Sequence, residues 1–250
     1  MKIEKFIKDN GNKYKVIIDD DTYKLYDDTI IKYNLLSKKD INKKELDEIL
    51  IYNDELLSYY ESIKYITRKL RSEKEIREYL KKKDIDSNTI NKTVKKLYDN
   101  NFLNQEIYLK SYINDKLNLS NDGPLKIKRD LLKLGLKEED IDEHINLISN
   151  DIWLDRIDTI ISKRIKGNTK YSSYMLRNKT LLYVSNLGYY KDDIVSILNR
   201  YDIIDKDIFL KEKEKAIKEL SKKYSGYELD QKVRMRLYRK GFKGSGSYEE

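Results

Sequence analysis

The strongest constraint on this chain is an internal repeat. Four segments, 71–85, 123–136, 172–189 and 225–242, align on the residue that ends a helix in each: Asp84, Gly135, Gly188 and Gly241, spaced 51, 53 and 53 residues apart. Four and eight residues before each stop stand Leu80 and Ile76, Leu131 and Ile127, Val184 and Thr180, and Leu237 and Val233. That spacing keeps one helical face apolar. The residue after the stop is Ile85, Leu136, Tyr189 or Phe242, as a left-handed cap followed by a hydrophobic contact requires. Further on, Ile90, Ile141 and Ile194, then Val94, Ile145 and Leu198, mark another helix with its own buried stripe. A further helical stretch precedes each unit, at 55–69, 105–117, 154–166 and 207–223. The repeat is therefore three helices, as in helical arrays.

Starts of the helices agree with this register. Ser72 with Glu75, and Ser225 with Glu228, have capping-box spacing. Pro124 suits a first helical position. The first forty residues differ. Asn10-Gly11 lies between two short β-prone runs and predicts a hairpin. A third strand follows the turn at Asp19-Asp20-Asp21, and a short helix is expected at Asp28–Tyr33. Asn42 and Glu45 then open a long helix towards Leu70. The expected class is mostly α: tandem three-helix repeats in an elongated, curved array behind a small N-terminal β-element. The expected divisions are 1–41 for the β-element, 42–104 for the linking helix and first repeat, 105–155 for the second repeat, 156–205 for the third, and 206–250 for an incomplete fourth.

Composition narrows the function classes. Hydrophobic residues are 39% and charged residues 38%, with nine Gly and one Pro, which suits helices joined by short turns. The chain has no Cys, so disulfides and thiolate metal sites are excluded. No run reaches transmembrane length and the start lacks a signal-peptide core, so a cytoplasmic location is expected. Net charge is +8, from 52 basic against 44 acidic residues, compatible with a polyanionic partner. No phosphate-cradling loop, nucleophile elbow or metal-ligand cluster stands out. His144, the one histidine, is expected to be structural, and Glu138-Glu139-Asp140 is explained by a helix start. The chain is thus expected not to be an enzyme, and to use no cofactor or metal.

Basic residues recur on the same helix of three units. They are Arg68, Arg71, Lys74, Arg77 and Lys81 in the first, Lys126, Lys128, Arg129 and Lys133 in the second, and Arg234, Arg236, Arg239 and Lys240, followed by Lys243, in the fourth. They form a candidate face for DNA phosphates or an acidic protein, against the ordinary reading of a solvated helix face. Tyr60, Tyr65, Tyr79 and Tyr98 are expected in the core, Trp153 as a plug between repeats, and Tyr171, Tyr174, Tyr224 and Tyr227 in staples at two helix starts.

Several motifs together resemble one family. Arg71-Ser72-Glu73-Lys74-Glu75-Ile76 is similar to the opening of the first repeat of RecX regulators, with Phe102-Leu103-Asn104 downstream. The pattern Gly-Pro-x-x-Ile-x-x-x-Leu at 123–131 resembles the start of their second repeat. Lys223–Glu228 with Leu237–Phe242 resembles the extra C-terminal repeat of longer, Gram-positive-type members. The likeness covers about 55–242. It implies a regulator of homologous recombination and the SOS response that binds the RecA–single-stranded DNA filament. Strand exchange, ATP hydrolysis and co-protease activity would be lowered, and the basic face would dock in the filament groove. A monomer is expected. The alternatives are a helical DNA-binding protein acting without RecA and a purely protein-binding scaffold.

Overall fold

The computed structural model describes residues 1–242. Two compact units are present: Met1–Tyr108 with Leu134–Leu136, and Leu109–Lys133 with the chain from Lys137 onward. The first opens with strands β1 (Ile3–Lys8), β2 (Lys13–Ile18) and β3 (Asp21–Tyr26), antiparallel in chain order. Asp19 and Asp20 take φ of 45° and 68°, the left-handed pair that a two-residue hairpin turn needs and that Asp tolerates. Val16, Ile18 and Leu25 are fully buried and share a core with residues of helices α1 (Asp27–Lys32) and α2 (Lys43–Ile66).

Asn53, buried on α2, ties this element together. Its Oδ1 accepts from the Tyr26 amide at 2.9 Å and from the Thr29 hydroxyl at 3.1 Å, and its Nδ2 donates to the Lys24 carbonyl at 3.1 Å. The second half of α2 serves another core. Tyr59 and Ile66 pack with Ile76 and Leu80 of α3 (Glu73–Lys81) and with Ile90, Val94 and Leu97 of α4 (Ser87–Asp99). The linking helix ends at Ile66, short of the expected Leu70, because Ser72 starts the next helix. Its hydroxyl accepts from the Glu75 amide while Glu75 reaches back to the Ser72 amide, a complete capping box.

Helix α5 (Gln105–Leu119) leads into the second unit, which continues with α6 (Pro124–Lys133), α7 (Glu138–Asn146), α8 (Asn150–Lys166), α9 (Ser173–Asn186), α10 (Lys191–Leu198), α11 (Lys206–Leu220) and α12 (Gly226–Arg239). The repeat positions are buried as a set: Ile127, Leu131, Thr180, Val184, Val233 and Leu237 on the middle helices, Ile141 and Ile194 on the third. Two details differ from expectation. The division at 155/156 falls inside α8, because Ser149 accepts from the Asp151 amide and the helix starts at Asn150. Ser225 makes no side-chain cap, since Gly226 beside it takes φ of 54° and turns the backbone out of capping geometry. The expected truncation of the fourth repeat, and Lys243, lie outside the described residues.

The three glycine stop turns have a further role. Gly135, Gly188 and Gly241 take φ of 84°, 89° and 85°, and each lies against the start of an earlier middle helix. A Cβ on Gly188 would sit 2.4 Å from the Lys126 amide nitrogen, one on Gly241 2.6 Å from Met175 Cγ, and one on Gly135 3.3 Å from Lys74 Cβ. At α6 the docked turn caps the helix, because the amides of Gly123 and Leu125 donate to the carbonyls of Leu187 and Gly188 at 2.7 and 3.0 Å. At α9 the Ser172 hydroxyl donates to the Lys240 carbonyl at 3.1 Å. Asp84, the stop of the first repeat, adopts φ of 59° without being glycine. It is exposed, so a side chain there has room.

Candidate functional site

The thirteen cations singled out by the repeat pattern divide into two groups. Seven are engaged by carboxylates. Arg71 pairs with Glu75 at 3.0 Å and lies over the Tyr65 ring at 4.1 Å. Arg77 pairs with Glu73 at 2.7 Å and donates to Asn91 at 2.8 Å. Lys126 meets Asp122 at 2.6 Å, and Lys128 meets Glu138 at 2.8 Å and Asp142 at 2.7 Å. Hydrogen bonds to Asp142 and Glu138 push the Lys128 ammonium up to about 12. Arg236 pairs with Glu219 at 2.7 Å, Lys240 with Glu212, and Arg234 loosely with Asp230 at 3.4 Å. The Arg236 and Lys240 bonds hold the carboxyls of Glu219 and Glu212 below their ordinary range.

Arg68, Lys81, Arg129 and Arg239 are exposed and have no carboxylate partner among the described residues. Lys74 and Lys133 are also exposed. The net positive field of the expected face therefore rests on fewer charges than its count of basic residues suggests. A cation already matched by a carboxylate offers a phosphate little attraction until that pair opens.

A second group of cations was not part of the expected face. On α8 and the loop after it stand Lys163, Arg164, Lys166 and Lys170, and Lys179 follows on α9. None pairs with a carboxylate among the described residues. Arg164 instead donates from Nε to the Thr180 hydroxyl at 3.3 Å and lies over the Tyr183 ring at 4.3 Å. Lys170 and Lys179 lie over Tyr171 at 5.6 and 4.9 Å. Two open recesses of about 330 and 420 Å³ flank this region and share Lys163 and Arg164 in their walls. Asp155 is the one carboxylate lining them.

Thr180 was the available signal. It occupies a core position held by Ile76, Ile127 and Val233 in the other repeats, and it is fully buried. A hydroxyl in such a place needs a partner, and Arg164 supplies it.

The remaining candidates are structural. His144 is half-buried, and its Nδ1 donates to the Asp140 carbonyl at 2.8 Å; a carbonyl only accepts, so the proton is on Nδ1. Trp153 is buried and meets Tyr189 edge-on at 6.3 Å. Tyr65 and Tyr79 stack at 4.2 Å beside the first-repeat core. Tyr174 and Tyr227 are 46% and 80% exposed, so neither is the buried half of a staple. Arg156 is a clamp, donating to the carbonyls of Leu117 and Ser120 and to the Tyr189 hydroxyl. Asp122 is buried beside Lys116 and Lys126; burial opposes its ionisation, and the two ammonium hydrogen bonds outweigh it, holding the carboxyl below the usual range.

Among the described residues no group of three or more His, Cys, Asp or Glu could hold a metal ion, and no helix is long and apolar enough to cross a membrane.

Comparison with known proteins agrees with this architecture. Residues 59–97 match the family described as RecX, first three-helix domain, which are the residues of the α2–α3–α4 core. Regulatory protein RecX of Lactococcus lactis subsp. cremoris (strain MG1363) is 30% identical over 247 residues, covering 94% of this chain and 92% of that protein. Regulatory protein RecX of Streptococcus agalactiae serotype III (strain NEM316) is 30% identical over 232 residues, covering 89% and 88%. Among solved structures, a crystal structure of regulatory protein RecX superposes with a TM-score of 0.68 at 18% identity, covering 79% of this chain and 98% of that one. RecX from Lactobacillus salivarius superposes at 0.56 with 25% identity, covering 61% and 99%.

Proposed function

Because this chain belongs to the RecX family of regulatory proteins, we propose that it regulates homologous recombination by binding the RecA–single-stranded DNA filament and inhibiting or destabilising it. Strand exchange, ATP hydrolysis and co-protease activity would fall together. The observation that carries this reading is the match to a RecX regulator over 94% of the chain. We take the domain division to be 1–41, 42–104, 105–146, 150–205 and 206–250, with the third boundary moved to the turn before α8.

A repeated unit suits a polymeric partner. Weak contacts repeated along the chain add through effective concentration, so no single residue needs to bind tightly. The exposed cations Arg68, Lys81, Arg129 and Arg239, unpaired among the described residues, would carry the electrostatic part of that contact. The protein would act as a monomer in the cytoplasm, with no cofactor.

The test is the single-stranded-DNA-dependent ATPase of RecA from the same cell, with this protein titrated from sub-stoichiometric to equimolar. Inhibition that saturates below one protein per RecA supports filament binding. Unchanged ATPase, beside tight binding to bare DNA that weakens steeply with salt, would replace the reading by a DNA-binding protein acting without RecA.

A further inference from the structure

The cations of the third repeat are held in place without carboxylates among the described residues. Of the thirteen cations first singled out, seven are matched by carboxylates. On α8 and α9 the matching groups are a hydroxyl and two tyrosine rings, which fix the position of a cation without cancelling its charge. Arg164 shows this most clearly. Thr180 takes its Nε, Tyr183 supports its face, and neither Nη has a protein partner among the described residues. A guanidinium held in that way presents a pre-oriented two-nitrogen fork, suited to bidentate binding of a planar or tetrahedral oxyanion.

The surroundings suit a chain better than a single ion. Lys163 and Arg164 wall both recesses, Lys170 lines the farther one, and each recess has a tyrosine in its wall, Tyr183 or Tyr171. Volumes of about 330 and 420 Å³ lie at the small end of ligand sites, roughly 300–1,000 Å³. Basic residues alternating with aromatic rings form the arrangement that binds a strand without reading its sequence. The lysines ending α8 have a simpler explanation in the helix dipole, but that explanation does not account for Thr180 in a core slot or for the open fork of Arg164.

We propose that the two recesses along α8 form one binding site for the sugar–phosphate backbone of single-stranded nucleic acid. Arg164 and Lys163 contact phosphate at the shared wall, Lys170 extends the contact, and Tyr183 offers a ring edge to the sugar or base. Thr180 is a positioning residue that acts through Arg164. The site deepens the filament reading by giving this chain its own hold on the strand, apart from any hold on RecA.

The experiment is fluorescence anisotropy of a labelled oligothymidine with the full chain and no RecA present, across a salt series. Lys163→Glu with Lys170→Glu, both exposed positions, is expected to weaken binding about tenfold or more and to flatten the salt slope by about 2. The same reversal at Lys211 and Lys218 on α11 is expected to leave affinity within about twofold. Thr180→Val, which keeps the core shape, is expected to weaken binding several-fold while thermal stability holds or rises; a merely structural threonine would not separate the two. Equal loss at Lys211 and Lys218 would mean attraction by net charge and would overturn the site. So would unchanged affinity in the Lys163/Lys170 variant, or displacement of the oligonucleotide by polyglutamate as readily as by unlabelled strand. Because RecA is absent, failure here leaves the filament reading intact. Intact strand binding without ATPase inhibition would remove the filament reading alone.

Discussion

Gly188 and Lys126 meet backbone to backbone: a Cβ on Gly188 would lie 2.4 Å from the Lys126 amide nitrogen and 3.0 Å from its Cα. Neither atom is the movable end of a side chain, and Gly188 also takes φ of 89°. Gly188→Ala therefore combines left-handed strain of roughly 1–2 kcal/mol with overpacking of about 1–3 kcal/mol. Gly11, at φ of 63° with nothing within 4 Å of an added Cβ, carries only the first cost. Thermal melts of the two alanine variants test this, and an equal drop in Tm would sink the docking explanation.

Asn53 supports one amide, one hydroxyl and one carbonyl at the join of β3, α1 and α2. Asn53→Leu leaves those buried groups without partners and is expected to cost about 3 kcal/mol. Urea unfolding reads it as a lower midpoint. A loss under about 1 kcal/mol would show that water replaces the amide freely.

Asp122 gives the second unit an acid-sensitive point. Its folded carboxyl titrates below its unfolded value, held there against burial by Lys116 and Lys126. Its contribution is thus present above the unfolded value, about 3.9, and is lost as pH falls through the folded one. The stability gap between the natural chain and Asp122→Asn is expected to be widest near neutral pH and to close in acid. A gap unchanged between pH of about 7 and 3 would remove the assignment.

Within the filament reading, the paired and unpaired cations separate. Removing charge at Lys81, Arg129 and Arg239 is expected to weaken ATPase inhibition several-fold. The same change at Lys128, Arg236 and Lys240, where carboxylates already answer the charge, is expected to alter it less than about twofold. The reverse order would indicate that those pairs open on binding.

The repeat was legible because its cause is local and periodic. Leu80, Leu131, Val184 and Leu237 hold the same place on four helices, and every one is buried. The left-handed stops were legible for the same reason, including Asp84. Some ion pairs could be read from spacing alone, such as Arg71 with Glu75 and Lys126 with Asp122, four residues apart. Others could not. Lys128 meets Glu138 and Asp142 across the α6–α7 turn, and Arg236 reaches Glu219 on α11, so their neutralisation depends on how helices pack. The region of uncompensated charge in the third repeat was hidden because Arg164 and Thr180 lie 16 residues apart on different helices.

The seating of the glycine stop turns on earlier helices also affects how the chain melts. Gly188 reaches back past α7 and α8 to the start of α6, and Gly241 reaches back past α10 and α11 to Ser172 and Met175. Opening the α9 turn exposes the first amides of α6, and opening the α12 turn removes the hydroxyl contact at the start of α9. Neighbouring segments thereby share one free-energy barrier. The amides at the starts of α6 and α9 would then exchange their hydrogens only through a common large opening, and fraying would remain local to helix ends that no later turn covers.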